Sequence, residues 1–114
     1  MIDKLFLAID GKDAVKFASF LSKGCHFRFG NLPEVTGADN IQAFVGGFFE
    51  SIDSLAHAIE ESWNVPDGLI CHGQVTYTRK DGSSLTVPFA NIFKLDSTGI
   101  CEYLIFADTS ELYK

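Results

Sequence analysis

The chain has 114 residues, of which 46% are hydrophobic, and a formal net charge of −6; that is enough for one domain, residues 1–114, built on a single core. The acidic balance, with no Lys/Arg cluster against it, argues against a nucleic-acid partner. The short apolar run behind Met1-Ile2-Asp3-Lys4 is too brief for a signal peptide or a membrane span, so a cytoplasmic protein with no membrane association is expected.

Ile2, Leu5, Phe6 and Ile9 fall at i, i+3, i+4 and i+7, which predicts a one-faced helix ending near Asp10-Gly11. Ala14, Phe17, Ala18 and Leu21 repeat the spacing in a second helix, with Gly24 as its left-handed terminator. Cys25 to Phe29 alternates and reads as a short strand, Phe27 and Phe29 to one side and His26 and Arg28 to the other. Asp39-x-x-Gln42 reads as a capping box for a third helix with the stripe Ile41, Phe44, Val45, Phe48 and Ile52. Gly46-Gly47 inside that helix costs stability relative to alanine, a sign of close packing or a bend. Leu55, His57, Ile59, Glu61 and Trp63 then alternate along one face of a strand that ends at Asn64-Val65-Pro66-Asp67-Gly68.

From Leu69 to Asp108 three apolar segments are separated by Lys80-Asp81-Gly82 and Ser97-Thr98-Gly99. Both look like three-residue hairpin loops with a left-handed glycine, giving an antiparallel meander. This register places Leu69, Cys71, Gly73, Val75 and Tyr77 on one face with Leu85, Val87, Phe89, Asn91, Phe93 and Leu95. Cys101, Tyr103, Ile105 and Ala107 join them, Phe93 opposite Tyr103 and Asn91 opposite Ile105. Helices first and then a mostly antiparallel sheet define an α+β fold in the order ααβαββββ. The other face of the last hairpin carries Pro88, Ala90, Ile92, Leu104 and Phe106. A second apolar face needs a cover, and homodimerisation through it is the expectation.

The three cysteines, Cys25, Cys71 and Cys101, are far apart and form no CxxC, so they read as small buried apolar residues in a reducing compartment. His26, His57 and His72 never fall at a ligand spacing, and Cys71 and His72 face opposite sides; no metal and no cofactor is expected. No phosphate-binding glycine loop or nucleophile elbow is present.

The element order, together with specific residues, resembles a known superfamily. Those residues are Gly37-x-x-x-Ile41-x-x-Phe44, His57 and Trp63 in the following strand, and Val75-x-Tyr77-x-x-x-Asp81-Gly82. Val87-Pro88-Phe89, Phe93 and Gly99-Ile100-x-x-Tyr103-x-x-x-x-Asp108 complete the set. The chain is similar over nearly its whole length to the nuclear transport factor 2-like superfamily, and in particular to its SnoaL-like members. The resemblance implies a cone-shaped fold, three helices packed on a curved sheet around a cavity. That fold hosts isomerases, cyclases, dehydratases, epoxide hydrolases and non-catalytic modules. Ketosteroid isomerase chemistry is disfavoured: its first-strand carboxylate position falls among Phe27, Arg28 and Phe29, its acidic oxyanion donor matches Asn91, and no tyrosine precedes Tyr77. Epoxide-hydrolase chemistry of the limonene type needs an arginine between two aspartates in the pocket, whereas Arg28 and Arg79 lie on a polar strand face and beside a turn.

Within that frame His57 is the candidate proton carrier, and Glu61 its possible orienting partner or a rim residue. Asn91, a lone amide among Val87, Phe89 and Phe93, must be satisfied by a ligand carbonyl, a water or a polar neighbour. Asp108 is a second catalytic candidate by resemblance, near the cavity mouth; from its own residues Asp108-x-x-Glu111 reads first as a capping box for a C-terminal helical turn. Trp63, Tyr77, Phe89, Phe93, Tyr103 and Phe29 are the candidate ligand-lining residues. The expected function is binding of a small hydrophobic carbonyl compound, with cofactor-independent isomerase, cyclase or dehydratase activity. The alternative is a non-catalytic ligand-binding or dimerisation module.

Overall fold

The computed structural model describes residues 2–113. The elements are α1 (Ile2–Asp10), α2 (Ala14–Ala18), β1 (Leu21–Phe29), β2 (Val35–Thr36), α3 (Ala38–Glu50), β3 (Ser54–Val65), β4 (Gly68–Thr78), β5 (Ser84–Asp96) and β6 (Gly99–Ala107). The strands form one sheet in the order β2-β1-β6-β5-β4-β3. Every pairing is antiparallel except β1 with β6. The three helices lie on one face, and the fold is α+β as the patterning requires. Among the described residues no helix is long and apolar enough to cross a membrane.

The β4–β5–β6 meander has the register that apolar matching gives: Cys71 faces Asn91, Asn91 faces Ile105, and Phe93 faces Tyr103. Its inner face meets Leu5, Phe6 and Ile9 of α1, Phe17 of α2 and Ile41, Val45 and Phe49 of α3 in a single core. The Gly82 turn carries the expected positive φ, +90°. The second hairpin differs. Asp96 pairs directly with Gly99, whose φ is +146°, and the Asp96 carboxylate accepts from the N–H of Thr98, the N–H of Gly99 and the Thr98 hydroxyl. The loop is shorter than expected and is closed by the Asp96 side chain, but Gly99 keeps the expected positive φ, and a Cβ on it would come within 2.7 Å of the Phe20 carbonyl oxygen. A register shift between Lys94 and Leu95 then puts Ile100 into the core and leaves Cys101 half-buried, off the inner face.

Three local expectations are corrected. Helix α2 ends at Ala18, and Leu21 to Gly24 belong to β1, so Gly24 terminates nothing. The parallel pairing with β6 and the Ile100 N–H bond to Phe20 O draw this segment into the sheet. The N-cap of α3 is Gly37, at a φ of +96° and with no side-chain cap, so Asp39 lies inside the first turn, where its charge suits the helix dipole. Phe49 is buried beside Ile41 and Val45, while Phe44 and Phe48 are half-buried.

The third strand holds the correction with most consequence. Between Ile59 and Glu61 a β-bulge shifts the pairing, so Ile59 opposes Gly73 but Glu61 opposes His72. One inserted residue inverts the faces of everything after it. Gly73 makes the bulge possible, because a Cβ there would collide with the Ala58 carbonyl. Beyond it, Glu61 and Trp63 lie on the outer face; Trp63 is 46% exposed and stacks on the His72 ring at 5.6 Å.

Candidate functional site

The helices and the inner sheet face enclose a cavity of about 40 Å³. Its walls are aromatic: Phe17 packs against Phe27, Phe48 against Phe29 and Phe49, and Phe89 joins them in the lining. Four polar side chains reach it, His57 from β3, Tyr77 from β4, Asn91 from β5 and Tyr103 from β6.

His57 is on an edge strand, whose outward backbone groups lack a strand neighbour. The end of α1 supplies one. Asp10 Oδ2 accepts from the His57 backbone N–H at 3.0 Å, and Asp10 Oδ1 accepts from ring Nδ1 at 2.6 Å. Lys12 extends the cover by donating from Nζ to the carbonyls of Ile52 and Asp53. A carboxylate at a helix C-terminus is opposed by the dipole, so Asp10 is held there by what it binds. With Nδ1 as the donor, Nε2 is the ring atom left to take up a proton, and among the described residues nothing hydrogen-bonds to it. The ring packs between Phe6 at 4.8 Å and Phe89 at 5.0 Å, and its side chain is 10% exposed.

Asn91 is 1% exposed, and its Oδ1 is buried without a hydrogen-bond partner. An orphaned buried amide oxygen costs desolvation that folding does not return, so a hydrogen-bond donor that enters the cavity is its natural partner. Burial raises the hydroxyl pKa of Tyr77 and Tyr103 well above the usual tyrosine value, with lesser contributions from Tyr113 at Tyr77 and from Cys71 at Tyr103; both are neutral donors at ordinary pH. Cys71, opposite Asn91, is pushed up to about 11 by burial and is a closed thiol.

Of the expected site residues, His57, Asn91, Tyr77, Phe89, Tyr103 and Phe29 are brought together at this cavity. Phe93 lies on the same face but is not among the lining residues, and packs edge-on against Tyr103 at 4.5 Å. Glu61 and Trp63 are carried to the opposite face by the bulge, so the partner of His57 is Asp10 and not Glu61. Asp108 is exposed past the end of β6 and accepts from the Ser110 N–H in a turn, not a helix; it does not line the cavity. Asp10 was missed because it follows an apolar stripe at a helix end and reads as a stop signal. Its one clue is an acid where the dipole favours a base. Among the described residues no three His, Cys, Asp or Glu side chains cluster as a metal site.

The SnoaL-like domain profile matches residues 2–103. The chain belongs to the SnoaL-like domain family. No curated protein matches the sequence. Solved structures share the fold at low identity. A nuclear transport factor 2-like protein of unknown function from Burkholderia pseudomallei superposes with a TM-score of 0.86 at 16% identity, over 97% of this chain and 90% of that one. A putative SnoaL-like polyketide cyclase from Jannaschia sp. gives 0.83 at 20%, over 98% and 85%. TerC, co-crystallised with polyporic acid, gives 0.82 at 14%, over 98% and 92%. The cone and its cavity are therefore the architecture of this SnoaL-like domain, while the Asp10–His57–Asn91 arrangement is read from its own residues.

Proposed function

We propose that this SnoaL-like domain binds a small hydrophobic carbonyl compound in the cavity and moves a proton on it without a cofactor, as an isomerase, cyclase or dehydratase would. The observation that carries the reading is a histidine oriented by a carboxylate and facing the same apolar cavity as Asn91, whose amide oxygen is unpartnered. Asp10 fixes the tautomer, so Nε2 can accept a proton from a carbon next to the carbonyl and return it elsewhere. Asn91 donates from Nδ2 to the carbonyl oxygen as negative charge develops on it, its unpartnered Oδ1 accepts from a hydroxyl of the same compound or a water, and Tyr77 and Tyr103 are further neutral donors. The aromatic walls exclude water, which strengthens these contacts. A putative polyketide cyclase and a polyporic acid complex among the structural neighbours are consistent with cargo of this class.

The test is a thermal-shift panel of small cyclic ketones and enones, followed by α-carbon deuterium exchange for each compound that binds. Binding lost in Asn91→Leu, with exchange lost in His57→Ala, is the expected pattern. No stabilising compound and no exchange above buffer would sink the reading. The second reading, a module without catalysis, is favoured by the cavity's size, about 40 Å³, against roughly 300–1,000 Å³ for ordinary ligand sites. Exchange catalysed by the wild type and lost in His57→Ala separates the two. The outer sheet face, with Ile92, Leu104 and the 54%-exposed Phe106, supports homodimerisation as the working assembly.

A further inference from the structure

A cavity this small must widen before it takes any carbonyl compound, and the helix above it carries both a weak point and a fastening. In α3 the cavity-lining Phe48 and Phe49 directly follow Gly46 and Gly47. Neither glycine is demanded by the fold. Neither has a positive φ; a Cβ on Gly47 would meet nothing within 4 Å, and one on Gly46 only the Ala14 Cβ at 3.7 Å, an ordinary contact. Alanine would fit both places and make a better helix, so the pair weakens α3 at one point without any packing return. Past it, Phe48 bridges the two walls, edge-on to Phe29 of β1 at 5.0 Å and to Tyr77 of β4 at 5.8 Å.

The far end of the same turn is tied to the C-terminal segment. Ser51, the C-cap, bonds through Oγ to the Tyr113 hydroxyl at 2.7 Å. Next to Tyr113, Leu112 is fully buried although Ser110, Glu111 and Tyr113 are exposed. Arg79 holds this segment by its backbone, donating from Nε to Leu112 O at 2.8 Å and from Nη2 to Glu111 O at 2.9 Å.

We propose that the last turn of α3 is the lid of the cavity, hinged at Gly46-Gly47 and latched by the Arg79-held segment Thr109–Tyr113. Swinging Phe48 off Phe29 and Tyr77, and Phe49 along with it, enlarges the cavity beside them and admits the ligand. The inference rests on the cavity being a ligand site, but its test needs no ligand.

The experiment is thiol trapping. Val75→Cys, a cavity-wall position, is placed in a chain with Cys25→Ala, Cys71→Ala and Cys101→Ser, and its reaction with dithiodipyridine is followed at low urea. A lid gives a rate that hardly changes with urea, because little surface is exposed on opening. Arg79→Gln should raise that rate several-fold, and Gly46→Ala with Gly47→Ala should lower it about tenfold. A rate that follows the urea slope of global unfolding, or that the alanine pair changes only in step with global stability, overturns the lid. If the reporter chain does not fold, amide exchange of Phe48 and Phe49 in the wild type is judged by the same urea criterion. A lid that opens in a protein binding no compound of the panel would sink the proposed function and leave the hinge standing.

Discussion

Asp10 grips His57 at two points, one carboxylate oxygen on the ring nitrogen at 2.6 Å and the other on the backbone N–H at 3.0 Å. A single side chain thus sets the position of the edge strand and the tautomer of its histidine. Because the two groups act as a unit, their removals should not add. Asp10→Ala and His57→Ala are each expected to cost about 1–3 kcal/mol in urea unfolding, from hydrogen bonds left unpaired. The double variant should fall short of the sum by about 1 kcal/mol or more. Strict additivity would mean that the pair is not coupled. Asp10→Asn keeps only one of the two acceptor oxygens, so it should recover only part of the stability.

Asn91 is expected to behave in the opposite sense. Its Oδ1 is buried with no partner, so Asn91→Leu replaces an unsatisfied amide by apolar surface of similar size. Stability in urea should stay level or rise, by up to about 1–3 kcal/mol. Binding of any carbonyl compound should be lost at the same time. A large destabilisation would show that the amide is a structural linchpin and not a ligand contact.

The bulge opposite Gly73 supplies a third test. Gly73→Ala would press a Cβ into the Ala58 carbonyl, and overpacking of this kind costs about 1–3 kcal/mol. Its mark is optical as well. If the bulge shifts, Trp63 leaves its stack on His72, so the fluorescence maximum of the only tryptophan should move. An unchanged melting temperature and spectrum would mean that the strands have room that the geometry denies them.

How far the sequence could be read follows from these same positions. Periodicity located the helices, and alternation with turn glycines set the meander's register, because both depend on neighbours along the chain. His57, Asn91, Tyr77 and Tyr103 came together for that reason: each lies on the apolar side of a strand. What failed was non-local or a single-residue insertion. The bulge at Glu60 has no composition of its own, so strict alternation carried Glu61 and Trp63 to the wrong face. Leu21 fits a helical stripe as well as a strand, and only pairing with Ile100 decides between them. Asp10 meets His57 across 47 residues of chain, a contact that no pattern along the sequence contains.

Alkaline pH should weaken the fold in a defined window. Burial, with a smaller effect of Cys101 and nearby acids, pushes the Cys25 thiol up to about 12, and burial pushes Cys71 up to about 11, both from 9.0. Tyr103 and Tyr77 are raised, again chiefly by burial, from 10.0. In each case the folded value exceeds the unfolded one, so the unfolded chain loses its proton first. Stability from these groups is full below pH 9.0 and falls as pH rises from there toward the folded values. Urea midpoints measured from pH 7 to 11 should be flat and then drop beyond about 9. Cys25→Ala with Cys71→Ala should delay the drop toward pH 10, where the tyrosines begin. An identical onset in that variant would remove the thiols from the explanation.

Phe106 tests the outer face. It is 54% exposed, beside Leu104 on β6 and across from Ala90, on a chain whose net charge of −6 would otherwise keep copies apart. A stable dimer across this face would bury about 1,200–2,000 Å², and a glutamate at its centre would put like charges together near the two-fold axis. Sedimentation should find the wild type dimeric and Phe106→Glu monomeric, with the variant's far-ultraviolet dichroism unchanged. Because the side chain is already half in water, the monomer itself should lose little stability. A wild type that sediments as a monomer at micromolar concentration would rule this face out as the dimer interface, and a variant that stays dimeric would move the interface elsewhere.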